Sequence, residues 1–205
     1  MMLPNRTQIK KVHHPNNPII QTHLDMELEE LIKRGYELLA EGDLDQALDA
    51  SREIQKENPD EAEGFIMEAE VMQKLTQWDP SLKMVAKAME MIGETSRLLN
   101  LRGYALMQKG DTENAREDFD AAIEIDDSPV GHRNVVLCLI IEERGTQALD
   151  YLVEQIRNNP KEVEHWVLMG DIMKKGGQAE KARGFYEQAL TMNPDHAYAR
   201  KQLEE

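Results

Sequence analysis

Hydrophobic and polar positions along the chain never alternate cleanly with a period of two, the pattern expected of a half-buried strand. The longest apolar run covers residues 135–141. It is far shorter than the ~20 residues that a membrane-spanning helix needs. Ala, Leu, Glu, Met and Gln are plentiful, and these side chains lose little rotamer entropy in a helix. The pattern therefore predicts an all-α fold.

Turn-forming residues recur at steps of 33 or 34 along the chain. They are Pro59, Gly93, Asp127, Pro160 and Pro194. The residue before a proline is forced out of the α region, so each of the three prolines can end a helix. Such a period indicates a chain of similar structural units rather than one irregular bundle.

Small side chains recur inside each period. Twelve residues before the turn positions lie Ala47, Ser81, Ala115, Ala148 and Ala182. Twenty-four residues before them lie Gly35, Ala69, Gly103, Val136 and Gly170. Five residues before them lie Ile54, Ala88, Ala122, Gln155 and Ala189. Small residues let two helix backbones approach closely, so each unit is predicted to be a packed helix pair.

A short turn segment separates the two small positions of each unit. Glycine is expected to end the first helix, and Asp or Thr to cap the second, as in Glu41-Gly42-Asp43 and Arg144-Gly145-Thr146. Each unit is thus predicted to be helix, tight turn, helix.

This pattern resembles the tetratricopeptide repeat family, whose 34-residue unit has Trp, Leu-Gly, Tyr, Ala, Phe, Ala and Pro at set offsets. The last unit matches it at Trp166, Met169, Gly170, Ala182, Tyr186, Ala189 and Pro194. The third unit matches at Gly103, Ala115, Phe119 and Ala122, and the first at Gly35, Ala47 and Pro59. The second and fourth units depart from it at Ser81, Val136 and Gln155. The resemblance implies a right-handed α-solenoid of about five helix-turn-helix repeats.

The predicted repeat region covers residues 25–194. Its units are placed at 28–61, 62–95, 96–128, 129–162 and 163–194. Residues 195–205 are charged over most of their surface, and they are predicted to form a helix that caps the solenoid.

Residues 1–24 differ from the rest in composition. They contain three prolines, three basic residues and no acidic residue, and they lack helical periodicity. We expect an extended or disordered N-terminal tail. A second hypothesis is that this basic tail docks on the acidic solenoid of its own chain or of a neighbour, which would make a homo-oligomer.

The charge balance argues against nucleic acid as a partner. The chain has 24 Lys and Arg against 39 Asp and Glu, a formal net charge of −15. A nucleic-acid-binding surface needs clustered Lys and Arg to replace counterions on the phosphates. A solvated acidic surface is the simplest interpretation of the excess, and a basic partner is the alternative.

The single cysteine, Cys138, lies among apolar residues and is expected to be a buried core residue. One cysteine cannot form an intrachain disulfide, and the first eleven residues lack the apolar stretch of a secretory signal. The expected location is the cytoplasm, without direct insertion into a membrane.

No motif for catalysis was found. The six histidines show no zinc spacing, and there is no phosphate-binding Gly-x-x-x-x-Gly-Lys loop or Gly-x-Ser-x-Gly elbow. The acidic cluster between Asp111 and Asp120 is expected at a helix start, where negative charge is favourable. No catalytic residue, cofactor or metal site is predicted, and the chain is not expected to be an enzyme.

In the resembling family, the first helix of each pair lines a concave groove with its second, fifth, ninth and twelfth residues. Helical spacing puts these places on one stripe. The predicted partner-binding groove consists of Ile32, Tyr36, Leu39, Ile66, Arg97, Asn100, Tyr104, Met107, Arg133, Leu137 and Ile140. An alternative is that the register is off by one place and some of these residues belong to the core.

The sequence thus predicts a protein-protein interaction adaptor or assembly factor that binds a partner peptide or helix in this groove. Two alternatives stay open. One is a self-assembling structural scaffold that uses the N-terminal tail, and the other is a regulatory repeat region of a larger protein.

Overall fold

A computed structural model describes the backbone of residues 18–204 and the side chains of residues 27–204. This part of the chain is entirely helical outside its turns. Its helices are α1 Pro18–Glu41, α2 Leu44–Glu57, α3 Glu63–Lys74, α4 Trp78–Ile92, α5 Ser96–Gln108, α6 Thr112–Ile125, α7 Pro129–Ile141, α8 Gly145–Asn158, α9 Val163–Lys175, α10 Ala179–Met192 and α11 Ala197–Glu204. The predicted all-α solenoid of five helix pairs with a terminal helix is confirmed.

The first helix is longer than expected. Helix α1 begins at Pro18, so residues 18–24 are helical and do not belong to an extended tail. A proline is well tolerated in the first turn of a helix, where its missing N–H would have no partner. The rest of the predicted tail, residues 1–17, lies outside the described residues.

The turns within the first and third units follow the predicted pattern. Gly42 and Gly110 have φ angles of +85° and +88°, which side-chain-bearing residues rarely adopt. The next residue caps the second helix in each unit. Asp43 accepts from the backbone N–H of Gln46 at 3.2 Å, and Asp111 accepts from that of Asn114 at 3.4 Å.

The fourth unit turns differently. Gly145 is already the first residue of α8, and Thr146 lies inside the helix, so the predicted Thr146 cap is wrong. Glu143 instead takes the left-handed conformation, with a φ angle of +60°. The glycine of this unit comes two positions later in the sequence than the turn requires, which leaves the glutamate to make the turn.

The small residues lie where helices meet. Gly103 packs beneath the ring of Phe119, and Gly170 beneath that of Tyr186. A Cβ at Gly170 would lie 2.5 Å from Cε1 of Tyr186. The glycines of the third and fifth units therefore set the close approach of each helix pair.

The fourth unit lacks a small residue at two of the repeat positions where the other units tend to have one. Val136 and Gln155 occupy these positions, and α7 and α8 approach each other over less of their length than the helices of the third and fifth units do. Larger side chains at a close-approach position hold two backbones apart.

First helices of successive units touch one another. Contacts join α1 to α3, α3 to α5, α5 to α7 and α7 to α9, while the second helices α2, α4, α6, α8 and α10 make no comparable contact with each other in the described chain. The more closely spaced row lies on the inside of a curved stack. We call the solvent-facing side of this row, α1, α3, α5, α7 and α9, the inner face.

The hydrophobic core between the two rows includes three clusters of buried side chains. Its largest cluster joins the third, fourth and fifth units to the terminal helix through residues such as Phe119, Leu152, Tyr186 and Ala199. Cys138 is fully buried in this cluster, as expected, and burial raises the pKa of its thiol to about 11. Among the described residues, none of the helices has the length and apolar character to span a membrane.

Candidate partner-binding face

A network of charged and polar side chains crosses the first three units on the inner face. The hydroxyl of Tyr36 donates to the carboxylate of Glu63. Arg97 donates to Glu63 at 2.6 Å and, through Nη2 and Nε, to Glu70 at 2.7 and 3.0 Å. Its guanidinium carbon lies 5.2 Å from the centre of the Tyr36 ring. Arg97 of α5 therefore joins two carboxylates of α3 and the aromatic ring of α1.

The spacing of this network shows how the inner face is built. Tyr36 precedes Glu63 by 27 residues, and Glu70 precedes Arg97 by the same number. The ninth residue of one unit thus meets the second residue of the next. These two places therefore lie on facing sides of first helices in successive units.

The electrostatics of the network keep its members in fixed states. Burial, reinforced by the hydrogen bond to Glu63 and the charge of Glu70, raises the pKa of the Tyr36 hydroxyl, which stays a neutral donor. Burial lowers the pKa of Arg97, but the carboxylates of Glu70 and Glu63 more than compensate and raise it overall. The first part of the inner face is consequently saturated by contacts within the chain.

Polar contacts also join the third unit to its neighbours. The side-chain amide of Asn134 donates to Oδ1 of Asn100 at 2.8 Å, and Asn100 donates to the backbone carbonyl of Ser96 at 2.9 Å. The amide of Gln73 donates to the carbonyl of Leu101 at 2.8 Å. These contacts fix the spacing between units.

The terminal helix closes the other end. His196 lies 2.9 Å from Oε1 of Glu164, and the hydroxyl of Tyr198 donates to Asp171 at 3.0 Å. Tyr186 donates to the same Asp171 oxygen at 2.7 Å. Glu164 and Asp171 are the second and ninth residues of the fifth unit, so α11 takes the place that a sixth unit would occupy.

Between these two polar regions the inner face is apolar. Helix α7 presents Val130, Leu137, Ile140 and Ile141 at helical spacing, and Tyr104 of α5 lies next to them in the order of units. Val130 and Ile141 are 55% and 49% exposed, and the other three are half-buried. We call these five residues the central apolar patch. Trp78 packs edge-on against Tyr104, with ring centres 6.0 Å apart.

The residues predicted to line the groove divide into three groups. Leu39, Ile66 and Met107 are buried in the core, so they do not offer side chains to a partner and the prediction is wrong for them. Tyr36, Arg97 and Asn100 are held by neighbouring units. Tyr104, Arg133, Leu137 and Ile140 remain accessible at or beside the central apolar patch, and Ile32 is half-buried on α1.

Sequence reasoning did not anticipate two features of this region. The predicted groove omitted Glu63 and Glu70, although the sequence shows that Glu63 follows Tyr36, and Arg97 follows Glu70, by 27 residues. It also omitted Val130 and Ile141. Their exposure follows from the position of α7 in the row, which the sequence does not encode locally.

A buried histidine pair lies just below the patch, where α7 meets α9. His132 contacts Oδ1 of Asp127 through Nε2 and the hydroxyl of Tyr151 through Nδ1, both at 2.6 Å. The ring of His165 meets that of His132 edge to face, 5.6 Å between centres. No group of three or more His, Cys, Asp or Glu side chains with the geometry of a metal site occurs in the described part of the chain.

Comparison with known proteins agrees with this architecture. A family model described as tetratricopeptide repeat matches residues 96–129 and 163–196, which hold the third unit and the fifth. The chain therefore contains tetratricopeptide repeats, in its third and fifth units. No curated protein sequence matches it.

Solved structures of other tetratricopeptide repeat proteins share its fold at low sequence identity. A thermophilic repeat protein of Thermus thermophilus, TTC0263, superposes with a TM-score of 0.73 at 18% identity, covering 86% of this chain and 97% of that one. PilF of Pseudomonas aeruginosa gives 0.65 at 20% identity, covering 88% of both chains. YrrB, which is described as a protein with an unusual peptide-binding site, gives a TM-score of 0.54 at 17% identity, covering 92% of this chain and 99% of the YrrB chain.

Proposed function

We propose that the protein is a non-catalytic adaptor or assembly factor that holds a peptide or helix of another protein on its inner face. The observation that carries this proposal is the central apolar patch. An apolar stripe on a helix of a soluble repeat stack normally packs against the next unit, yet this one faces solvent. Contiguous exposed apolar surface with an aromatic neighbour is typical of a protein-binding site.

Two printed descriptions of related folds support the same class of function. YrrB is described as having a peptide-binding site, and PilW, another protein with this fold, as a type IV pilus biogenesis factor. The fold alone is shared with these proteins, so the kind of partner must come from this chain's own surface. The single buried Cys138 suits a reducing compartment, and we propose the cytoplasm as the place of action.

The experiment compares two exposed apolar positions on opposite rows. Leu137→Glu places a charge in the central apolar patch, and Val153→Glu places the same charge on α8 in the outer row, where Val153 is 47% exposed. Circular dichroism first confirms that both variants fold. Affinity capture from the native host with mass spectrometry is then run for wild type and both variants.

A partner held by wild type and by the Val153 variant but lost from the Leu137 variant is the expected result. Loss from both variants, or retention by both, would contradict binding on the inner face. Tyr36→Glu is a poor probe here because it would add a carboxylate beside Glu63 and Glu70 and break the network between units.

A second candidate function is a self-assembling scaffold. Residues 1–17 carry three basic and no acidic residues, whereas the remaining residues carry 21 basic and 39 acidic. Opposite charge on two parts of one chain favours association between copies. Capture of the protein alone, together with a concentration-dependent mass in light scattering that falls at high salt, would favour this function over the adaptor.

A further inference from the structure

Over residues 135–141 helix α7 is apolar all round, and one of its sides faces solvent. Val135, Val136, Cys138 and Leu139 are buried in the core. A helix that is apolar all round is normally enclosed all round. The side that carries Val130, Leu137 and Ile141 therefore has the composition of an interface but lacks a partner within the described chain.

The second and ninth places of two other units on the inner face are occupied by charge. In the second unit they are Glu63 and Glu70, and in the fifth unit they are Glu164 and Asp171. The two glutamates of α3 share Arg97, which removes much of their negative field. On the α3 side, the patch therefore borders a largely neutralised surface.

On the α9 side, the carboxylates contact hydroxyl and imidazole groups. Asp171 accepts from the hydroxyls of Tyr186 and Tyr198, which are neutral donors. Glu164 contacts one ring nitrogen of His196 and stays 42% exposed. Lys174, one turn further along α9, directs its ammonium to Gln202 of α11 at 2.8 Å. Leu137 precedes Glu164 by 27 residues, the separation that brings Tyr36 to Glu63, so the patch borders Glu164 directly.

We propose that the occupant of the central apolar patch is an amphipathic, basic segment of another protein. Its aliphatic side chains cover α7, and its Lys or Arg side chains lie over Glu164 and Asp171. Arg133, an exposed cation of α7, lies one turn from both Val130 and Leu137, so it disfavours cations over α7 and leaves the α9 side for the basic flank. The net charge of −15 attracts such a segment over a longer range. This inference rests on the proposed function.

Three synthetic peptides test the proposal by fluorescence anisotropy against the full chain. The first places Leu on one face of an 18-residue helix and Lys on its flanks (about five turns). The second replaces every Lys by Glu, and the third keeps the Leu and Lys composition but scrambles the order so that no apolar face forms. We expect the first to bind at least about tenfold more tightly than the other two, and to weaken as salt is raised.

Protein variants then locate the site. Leu137→Lys should weaken the Leu/Lys peptide by about tenfold or more, while the matched control Val153→Lys on the outer row leaves its affinity unchanged. Glu164→Gln and Asp171→Asn keep hydrogen-bond acceptors for His196 and for the tyrosines but remove the charge. Each should weaken the Leu/Lys peptide by about threefold and should not weaken the Leu/Glu peptide.

The outcomes separate this inference from the proposed function. Equal binding of the Leu/Lys and Leu/Glu peptides, both lost on Leu137→Lys, would overturn the basic occupant and leave the inner face as a binding site. Leu/Lys binding that Leu137→Lys leaves unchanged would overturn both. A synthetic peptide of residues 1–17 that binds the patch more tightly than the Leu/Lys helix would make this chain's own segment the occupant and overturn the inference of a separate partner.

Discussion

Two histidines from neighbouring units meet in the interior, and the structure provides hydrogen-bond partners for only one of them. A carboxylate can only accept, so the contact of His132 with Asp127 places a proton on Nε2 and leaves Nδ1 to accept from Tyr151. His165 is 2% exposed, and neither of its ring nitrogens has a partner among the described residues. An unpaired buried imidazole is expected to stay neutral, because no hydrogen-bond partner would stabilise the charged ring.

The first prediction concerns acid stability. Burial, together with the nearby His132, lowers the pKa of His165, although Glu162, Asp127 and Glu164 act in the opposite direction. In the unfolded chain the imidazole takes up a proton as pH falls through about 6.5, whereas the folded protein resists it. The unfolded state then binds more protons, so the free energy of unfolding should fall as pH drops below that value.

Urea unfolding of wild type and His165→Phe at about pH 7.5 and about pH 5.5 measures this effect. Phenylalanine fits the edge-to-face contact with His132 and cannot be protonated. We expect the variant to lose less stability on acidification than wild type does. An identical loss in both proteins would show that other groups control the acid response.

The second prediction compares two helical glycines. At Gly170 an added Cβ would meet the ring of Tyr186 at 2.5 Å, whereas at Gly184 on α10 it would meet nothing within 4 Å. Gly170→Ala should destabilise by about 1–3 kcal/mol through overpacking. Gly184→Ala should stabilise by about 0.5–1 kcal/mol through helix propensity. Chemical denaturation of both variants decides this, and stabilisation by Gly170→Ala would contradict the tight packing of α9 on α10.

At the scale of the single residue, predictions from sequence were most accurate where the local backbone conformation allows only one or two residue types. Gly42 and Asp43 were predicted as a turn glycine and a cap because both depend on local backbone alone. Asp118 belongs to the acidic cluster that is expected at a helix start, but it is buried and paired with Arg102 at 2.6 Å. That pair joins two helices, and local patterns do not show which acid of a cluster faces the neighbouring helix.

Among the elements, the fourth helix pair differs from its neighbours. Val136 and Gln155 occupy the positions where small residues set a close approach, and Glu143 holds an uncommon backbone conformation in the connecting turn. Both features lower the stability of the pair relative to the third and fifth units. The loosely packed unit is also the one that carries most of the central apolar patch.

The third prediction follows from this packing. Native-state hydrogen exchange should show amides of α8 opening at least about tenfold faster than those of α6 and α10, because local opening costs less free energy where few contacts are lost. Mass spectrometry of peptic fragments resolves the three helices. Uniform protection across α6, α8 and α10 would indicate that the fourth unit unfolds only together with its neighbours.

For the whole molecule, the fold could be predicted from sequence because one physical requirement is repeated five times. Each helix pair must end at a turn and approach closely at small residues, so errors in one degenerate unit are corrected by the register of the others. The binding surface could not be predicted as well. Leu39, Ile66 and Met107 share the helical stripe with exposed residues, and the tilt of each helix against its neighbour decides which of them is buried.

The network of Tyr36, Glu63, Glu70 and Arg97 has a consequence for how this chain evolves. Repeat genes commonly lengthen and shorten by duplicating or losing whole units. Losing the second unit here would bring Tyr36 against Arg97 without either glutamate, and copying it would set Glu70 against a second Glu63. Each junction between the first three units needs its own set of side chains, so these units cannot replace one another. We expect this part of the chain to change by substitution rather than by gain or loss of whole units.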